Sequence, residues 1–168
     1  MNEPRAERPS APDWLGGDEL LPWSWAEEQL TKERNYWLSS VRRDGSPQAR
    51  PLWGVYLDGL LFLSVGHAGL QRSTDERDDG RLEVTVHVDS AVDVVIVEGS
   101  IERVAGDYGS RRFRVVDPPN AETMRRAGEL YEAKYDYSAD FINFVVRPRI
   151  VYGWRAEDVK TATKWIFD

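Results

Sequence analysis

Apolar and polar positions alternate in short runs along most of this chain. Leu82, Val84, Val86 and Val88 fall on one side and Glu83, Thr85 and His87 on the other, the period of a strand with one buried face. Tyr36–Val41, Pro47–Leu57 and Leu60–Val65 are β-prone runs separated by Asp44-Gly45 and Asp58-Gly59, dipeptides that suit the left-handed backbone of tight turns. These runs predict a three-stranded antiparallel meander. Val92–Val104 is almost solidly β-branched, with Gly99 as a candidate bulge, and predicts a central strand covered on both faces. Phe141–Arg147 and Ile150–Trp154 predict a strand interrupted at Pro148, and Thr163–Phe167 a short last one. In that last run Thr163, Trp165 and Phe167 alternate with Lys164 and Ile166, which predicts a docked segment with Trp165 and Phe167 buried and Lys164 facing a groove.

Helical spacing is confined to three places. Ser24 and Glu27 have the spacing of a capping box at the head of Trp25–Arg34, where Ala26 and Leu30 share a face. Asn120 follows Pro118-Pro119 and caps a predicted helix from Ala121 to about Lys134, with Met124, Ala127, Leu130 and Tyr131 on one face. The polar segment His67–Asp79 holds room for a short helix closed by Gly80. Six or seven strands in succession, with few helices, favour an antiparallel barrel decorated by helices over a doubly wound parallel sheet. Residues 1–21, rich in Pro, Gly and acidic side chains without an apolar period, read as an irregular arm, and 22–168 as one folded domain.

Composition narrows the function classes. With 29 acidic against 22 basic residues the net charge is −7, which argues against a nucleic-acid or anionic-membrane partner and for small molecules. The absence of cysteine excludes disulfides, thiolate–metal sites and cysteine nucleophiles. No basic start followed by an apolar stretch and no long apolar run is present, so the expected location is cytoplasmic, with no membrane span.

The familiar catalytic motifs are missing: no nucleophile elbow, Walker loop, dinucleotide fingerprint or zinc spacing occurs. His87 reads as a surface residue and His67 as a residue at a strand end, and the two make no metal site. Asp75, Glu76, Asp78 and Asp79 read as solvated surface. A chain so poor in nucleophiles suits chemistry carried by a cofactor, for which the protein supplies a shaped and charged pocket. Pro51 inside a β-prone run marks an edge where the sheet opens. Trp53-Gly54 places a large flat side chain beside a residue that permits close backbone approach, which fits a planar ring or, equally, a core tryptophan next to a kink. Ser64-Val65-Gly66 ends a strand and leads to Arg72 at a predicted helix start, one way to hold phosphate, although an arginine in a solvated loop is commoner.

Tyr36–Val41, Asp44-Gly45-Ser46-Pro47, Arg50-Pro51-Leu52-Trp53-Gly54, Asp58-Gly59 and Leu61–Ser64 together resemble the opening of the pyridoxamine 5′-phosphate oxidase-like family. The resemblance runs from about Tyr36 to Val104 and resumes in Val151–Trp154 and Ala162–Phe167. It implies a mainly β protein with helices: a six-stranded antiparallel split β-barrel, homodimeric, with a flavin-type cofactor at the subunit interface. Members use FMN, the deazaflavin coenzyme F-420 or, occasionally, haem. The positions that match the family's ring-binding strand are Arg50, Pro51, Leu52 and Trp53, and those of the next strand are Ser64 and Val65, followed by Gly66. Arg72 takes the place of the phosphate-binding lysine, whereas the neighbouring basic position has become Gln71. Trp154, Lys164 and Trp165 match residues that reach the same site from the other subunit.

The resemblance implies an oxidoreductase that moves a hydride between this cofactor and a small conjugated organic substrate. The alternative is a flavin- or deazaflavin-sequestering protein without turnover, since fold does not fix activity. Haem binding is disfavoured because neither histidine sits at an evident axial position. The loss of a basic residue at Gln71 leans towards coenzyme F-420 over FMN, and Arg147, Arg149, Arg155, Lys160 and Lys164 are available for its anionic tail. No catalytic side chain is assigned.

Overall fold

The structure is a computed structural model that describes residues 3–10, 19–66, 70, 81–89, 93–104 and 119–168. The chain is mainly β. Eight strands form one antiparallel sheet: β1 (Arg5–Glu7), β2 (Tyr36–Val41), β3 (Pro47–Leu57), β4 (Leu60–Ser64), β5 (Arg81–Asp89), β6 (Asp93–Arg103), β7 (Phe144–Arg155) and β8 (Asp158–Ile166). Two longer helices, α1 (Trp23–Lys32) and α2 (Ala121–Tyr135), accompany it, with a 3₁₀ turn at Ala139–Phe141. No helix among the described residues is long and apolar enough to cross a membrane.

The meander forms where the turns place it. Leu57 lies opposite Leu60, and the two residues between them, Asp58 and Gly59, both have positive φ, the mirror-image turn whose twist matches a hairpin. The sheet order is β1-β8-β7-β4-β3-β2-β5-β6, and β6 pairs back onto β7. Six strands therefore close a circuit of pairings, and β8 and β1 extend it outward from β7. The sheet thus holds eight strands where six or seven are expected from the sequence. One extra strand comes from the arm, whose Arg5–Glu7 pairs with β8.

Other expectations shift for physical reasons. Pro148 does not interrupt β7, because it lies opposite Gly99 at a bulge where the two strands close up. A Cβ at Gly99 would stand 2.0 Å from the Arg147 carbonyl oxygen, so only glycine fits there. β8 begins five residues before Thr163, at Asp158, a start hidden in the sequence because its first three residues are exposed. α1 begins at Trp23 rather than Trp25; Pro22 precedes it, and Ser24 lies inside the helix instead of capping it. Leu130 is 43% exposed and not part of the α2 contact face. That face is Ala127, Gly128, Tyr131 and Tyr135, while Asn120 caps the helix by accepting from the Thr123 amide at 2.9 Å.

The core has two parts. Inside the circuit, Trp23, Ala26 and Leu30 of α1 pack against inward residues such as Tyr36, Leu38, Val86, Val97, Val151 and Trp165. Outside it, α2 covers β3, β4 and β7 through Val55, Leu57, Phe62 and Val145. β6 is central in pairing, but only one face is fully buried: Val95, Val97 and Ile101 are inaccessible, whereas Val94 and Ile96 are half-buried.

Candidate functional site

β3 changes partners midway. Pro47–Leu52 pair with β2, and Trp53–Leu57 pair with β4. The handover occurs at Leu52 and Trp53, so the sheet opens beside Pro51, as a proline inside a strand requires. Beyond Ser64, which lies opposite Trp53, β3 has no β4 neighbour. Arg50, Pro51, Leu52 and Trp53 thus meet Ser64, Val65 and Gly66 at one open stretch of strand edge.

The side chains around this edge come from both faces. Arg50 shares the inward row with Leu38, Val86 and Val97, yet its Nε is buried and has no hydrogen-bond partner among the described residues. An unpaired buried guanidinium N–H is costly and marks a place for an acceptor. Trp53 points the other way, 42% exposed, with its indole stacked on the Tyr135 ring at 4.9 Å and 11°. Tyr137 meets it edge-on at 5.9 Å. Leu52 is buried in the core and Pro51 is exposed. Ser64 is half-buried and in hydrogen-bonding contact with the Tyr131 phenol, whose pKa is raised by burial. The Val65 amide donates to Asn143 Oδ1 at 2.9 Å, and Asn143 Nδ2 donates back to the Val65 carbonyl at 3.0 Å. Asn143 thereby extends the β4 edge by one strand-like pairing.

Tyr135 is the fixed point beneath Trp53. Its hydroxyl accepts the Gly54 amide at 3.0 Å and lies 2.8 Å from the Gly54 carbonyl and 2.7 Å from that of Arg34, to one of which its proton is donated. Gly54 itself is pressed against β4: a Cβ there would stand 2.5 Å from the Phe62 carbonyl oxygen. Its close approach therefore serves the sheet. Next to it, Lys134 Nζ donates to the Thr31 carbonyl at 3.1 Å and to Tyr36 Oη at 3.0 Å. Burial, with the Arg34 charge adding, lowers the Lys134 pKa to about 8, and burial raises that of Tyr135 to about 12. Neither Tyr135 nor Asn143 stands out in the sequence. The available signals are a tyrosine four residues after Tyr131 on a helix and one amide in an apolar run.

The C-terminal candidates lie elsewhere in the same chain. Trp154 is ten residues along β7 from Phe144, which pairs near the open edge, a path of roughly 30 Å at strand rise. Lys164 binds Glu7 of the arm at 2.7 Å, and Trp165 is fully buried against Trp23 and Trp25. The strand pleat puts Lys164 and Trp165 on opposite faces. Of the basic residues available for an anionic tail, Arg147 is paired with Glu102 and Arg149 with Glu83, which leaves Arg155 and Lys160 without an ion pair among the described residues. Arg72, Gln71, His67, Gly80 and the acidic residues 75–79 lie outside the described residues. His87 is on the outer face, stacked on Trp37. No metal-binding cluster occurs among the described residues.

No family model matches the chain, and no curated protein matches it. Solved structures do. A protein related to general stress protein 26, of the pyridoxinephosphate oxidase family, from Clostridium acetobutylicum aligns with a TM-score of 0.56 at 11% identity, covering 86% of this chain and 94% of that one. A conserved protein from Mycobacterium tuberculosis aligns at 0.59 and 18% identity, covering 85% and 90%. A FAD-binding protein from Mesorhizobium loti aligns at 0.53 and 18% identity, covering 88% and 96%. An antiparallel sheet closed by the β6–β7 pairing is thus the fold this chain shares with pyridoxine phosphate oxidase-like proteins.

Proposed function

We propose that this protein is a homodimeric split β-barrel oxidoreductase that binds a flavin-type cofactor at the open edge of β3. The observation that carries the proposal is the buried, unpartnered Nε of Arg50 at the point where β3 leaves β2 for β4. A planar ring edged with carbonyl and nitrogen acceptors suits that donor, and the Trp53 indole offers an aromatic surface. The residues present therefore fit the ring portion of such a group. Arg50, Pro51, Leu52, Trp53, Ser64, Val65 and Gly66 would hold it, with Arg72 at its phosphate. When bound, the cofactor supplies hydride transfer to or from a small conjugated substrate. The chain's own work is to orient the ring and exclude water.

The second copy enters because the outer face is unfinished. Pro51, Trp37, His87, Ile96, Tyr152 and Lys164 form one row across that face, with Trp37 40% exposed. A twofold partner seated on this row would bury it and bring its own Trp154 and Lys164 towards the β3 edge. We place coenzyme F-420 ahead of FMN, with Arg155 and Lys160 as the basic residues for its tail. The test is a titration of the purified protein with each cofactor, followed by quenching of its tryptophan fluorescence. Saturable binding of one or both supports the proposal, and no quenching by either removes it.

A further inference from the structure

A cleft of about 510 Å³ opens at the other end of β3, far from Arg50 along the strand. Its walls are the start of α1 (Trp23, Ser24, Glu27), the β3–β4 turn (Tyr56, Asp58, Gly59), the arm (Glu3, Pro4) and Phe167. The volume is that of a small-molecule site. Three aromatic rings meet in it nearly at right angles: Trp23 contacts Phe167 at 5.0 Å and 81°, and Tyr56 at 6.4 Å and 70°. The polar wall is held in place, since the Tyr56 hydroxyl donates to Glu27 Oε1 at 2.9 Å. All the charged residues of the lining are acidic. Asp58 is neutralised by Arg126 at 2.6 Å, but neither Glu27 nor Glu3 meets a cationic side chain among the described residues.

We propose that this cleft binds a small organic cation with an alkylammonium head. Aromatic faces attract such a head through their quadrupoles, and a carboxylate lacking a counter-charge adds to the attraction. A phosphate or carboxylate ligand is disfavoured by the two unneutralised glutamates. This site is independent of the cofactor reading and uses none of its residues.

The experiment is a calorimetric titration of the full-length protein with choline and with its neutral carbon isostere, in which a tert-butyl group replaces the trimethylammonium head. Choline is expected to bind at least about tenfold more tightly than the isostere. Glu27→Gln removes that preference, because glutamine still accepts from Tyr56 while the charge is gone. An unchanged melting temperature for the variant shows that its fold is kept, and Glu3→Gln, on the exposed arm, gives a second loss of preference without touching the helix. FMN and coenzyme F-420 titrate both variants as they do the wild type. Equal affinity for choline and the isostere, absence of choline binding, or an undiminished preference in both variants would overturn the proposal.

Discussion

The sheet has two outward faces that carry similar side chains and meet different fates. Over β3, β4 and β7, Val55, Leu57, Phe62 and Val145 lie beneath α2 and are closed off by Ala127, Tyr131 and Tyr135. Over β2, β5, β6 and the far end of β7, Trp37, Val94, Ile96 and Tyr152 have no such cover among the described residues and stay exposed or half-buried. Apolar surface drives burial in proportion to its area wherever it lies. The first face is covered by the chain's own helix, and the second is the face that the proposed dimer would bury. The candidate site sits where the two faces meet, at the edge of β3.

The largest contrast is in stability. Phe62→Ala, in the covered face, should lower the free energy of unfolding by about 3–5 kcal/mol in urea titration. Ile96→Ala, in the bare face, should cost about 1 kcal/mol or less under conditions where the protein is monomeric. Equal losses would break the contrast. Tyr135→Phe comes next. It strips the Gly54 amide of its acceptor at the rim of the covered face, and a cost of about 1–3 kcal/mol is expected.

Association sharpens the comparison from the other side. Sedimentation of the wild type at low micromolar concentration should show a dimer, and a Trp37→Ser, Ile96→Ser double variant should run as a monomer with unchanged far-ultraviolet circular dichroism. A wild-type monomer would leave the bare face unexplained.

The last contrast is in pH dependence. The Lys134 pKa falls from the unfolded value of 10.5 to about 8 in the fold, so the unfolded chain binds more protons between those values and stability rises with pH there. Tyr135, raised to about 12, and Tyr36 and Tyr56, also raised by burial, keep their protons in the fold above pH 10, where the unfolded phenols lose theirs. Stability should therefore climb from pH 8 to about 10 and then fall. Lys134→Met should flatten the climb and leave the fall.

The sequence is legible where local rules and tertiary structure agree. Asp58-Gly59 between two β-prone runs marks its hairpin because the turn itself demands that backbone. Pro51 correctly marks the opening of the sheet, because a missing N–H has the same consequence in any fold. Pro148 misleads for a nonlocal reason: the bulge that accommodates it depends on Gly99, far away in the chain. The start of β8 is hidden because a strand exposed on both faces has no alternation to read. The site divides in the same way. Arg50–Trp53 and Ser64–Gly66 sit on adjacent strands of one meander, so their meeting follows from the turns. Asn143 and Tyr135 reach that edge from a later strand approach and a later helix, and no local pattern announces them.

The central claim is that the buried Arg50 Nε, without a hydrogen-bond partner among the described residues, is there to meet a flavin-type cofactor. Its most direct test measures apo stability and cofactor affinity together in Arg50→Met. A buried donor without a partner is a liability in the empty protein and gains its acceptor only on binding. The account predicts unchanged or higher apo stability together with about one to two decades of lost affinity for the cofactor that binds the wild type, the equivalent of one charge-assisted bond. Lower apo stability with wild-type cofactor affinity would contradict it and make Arg50 a packing residue.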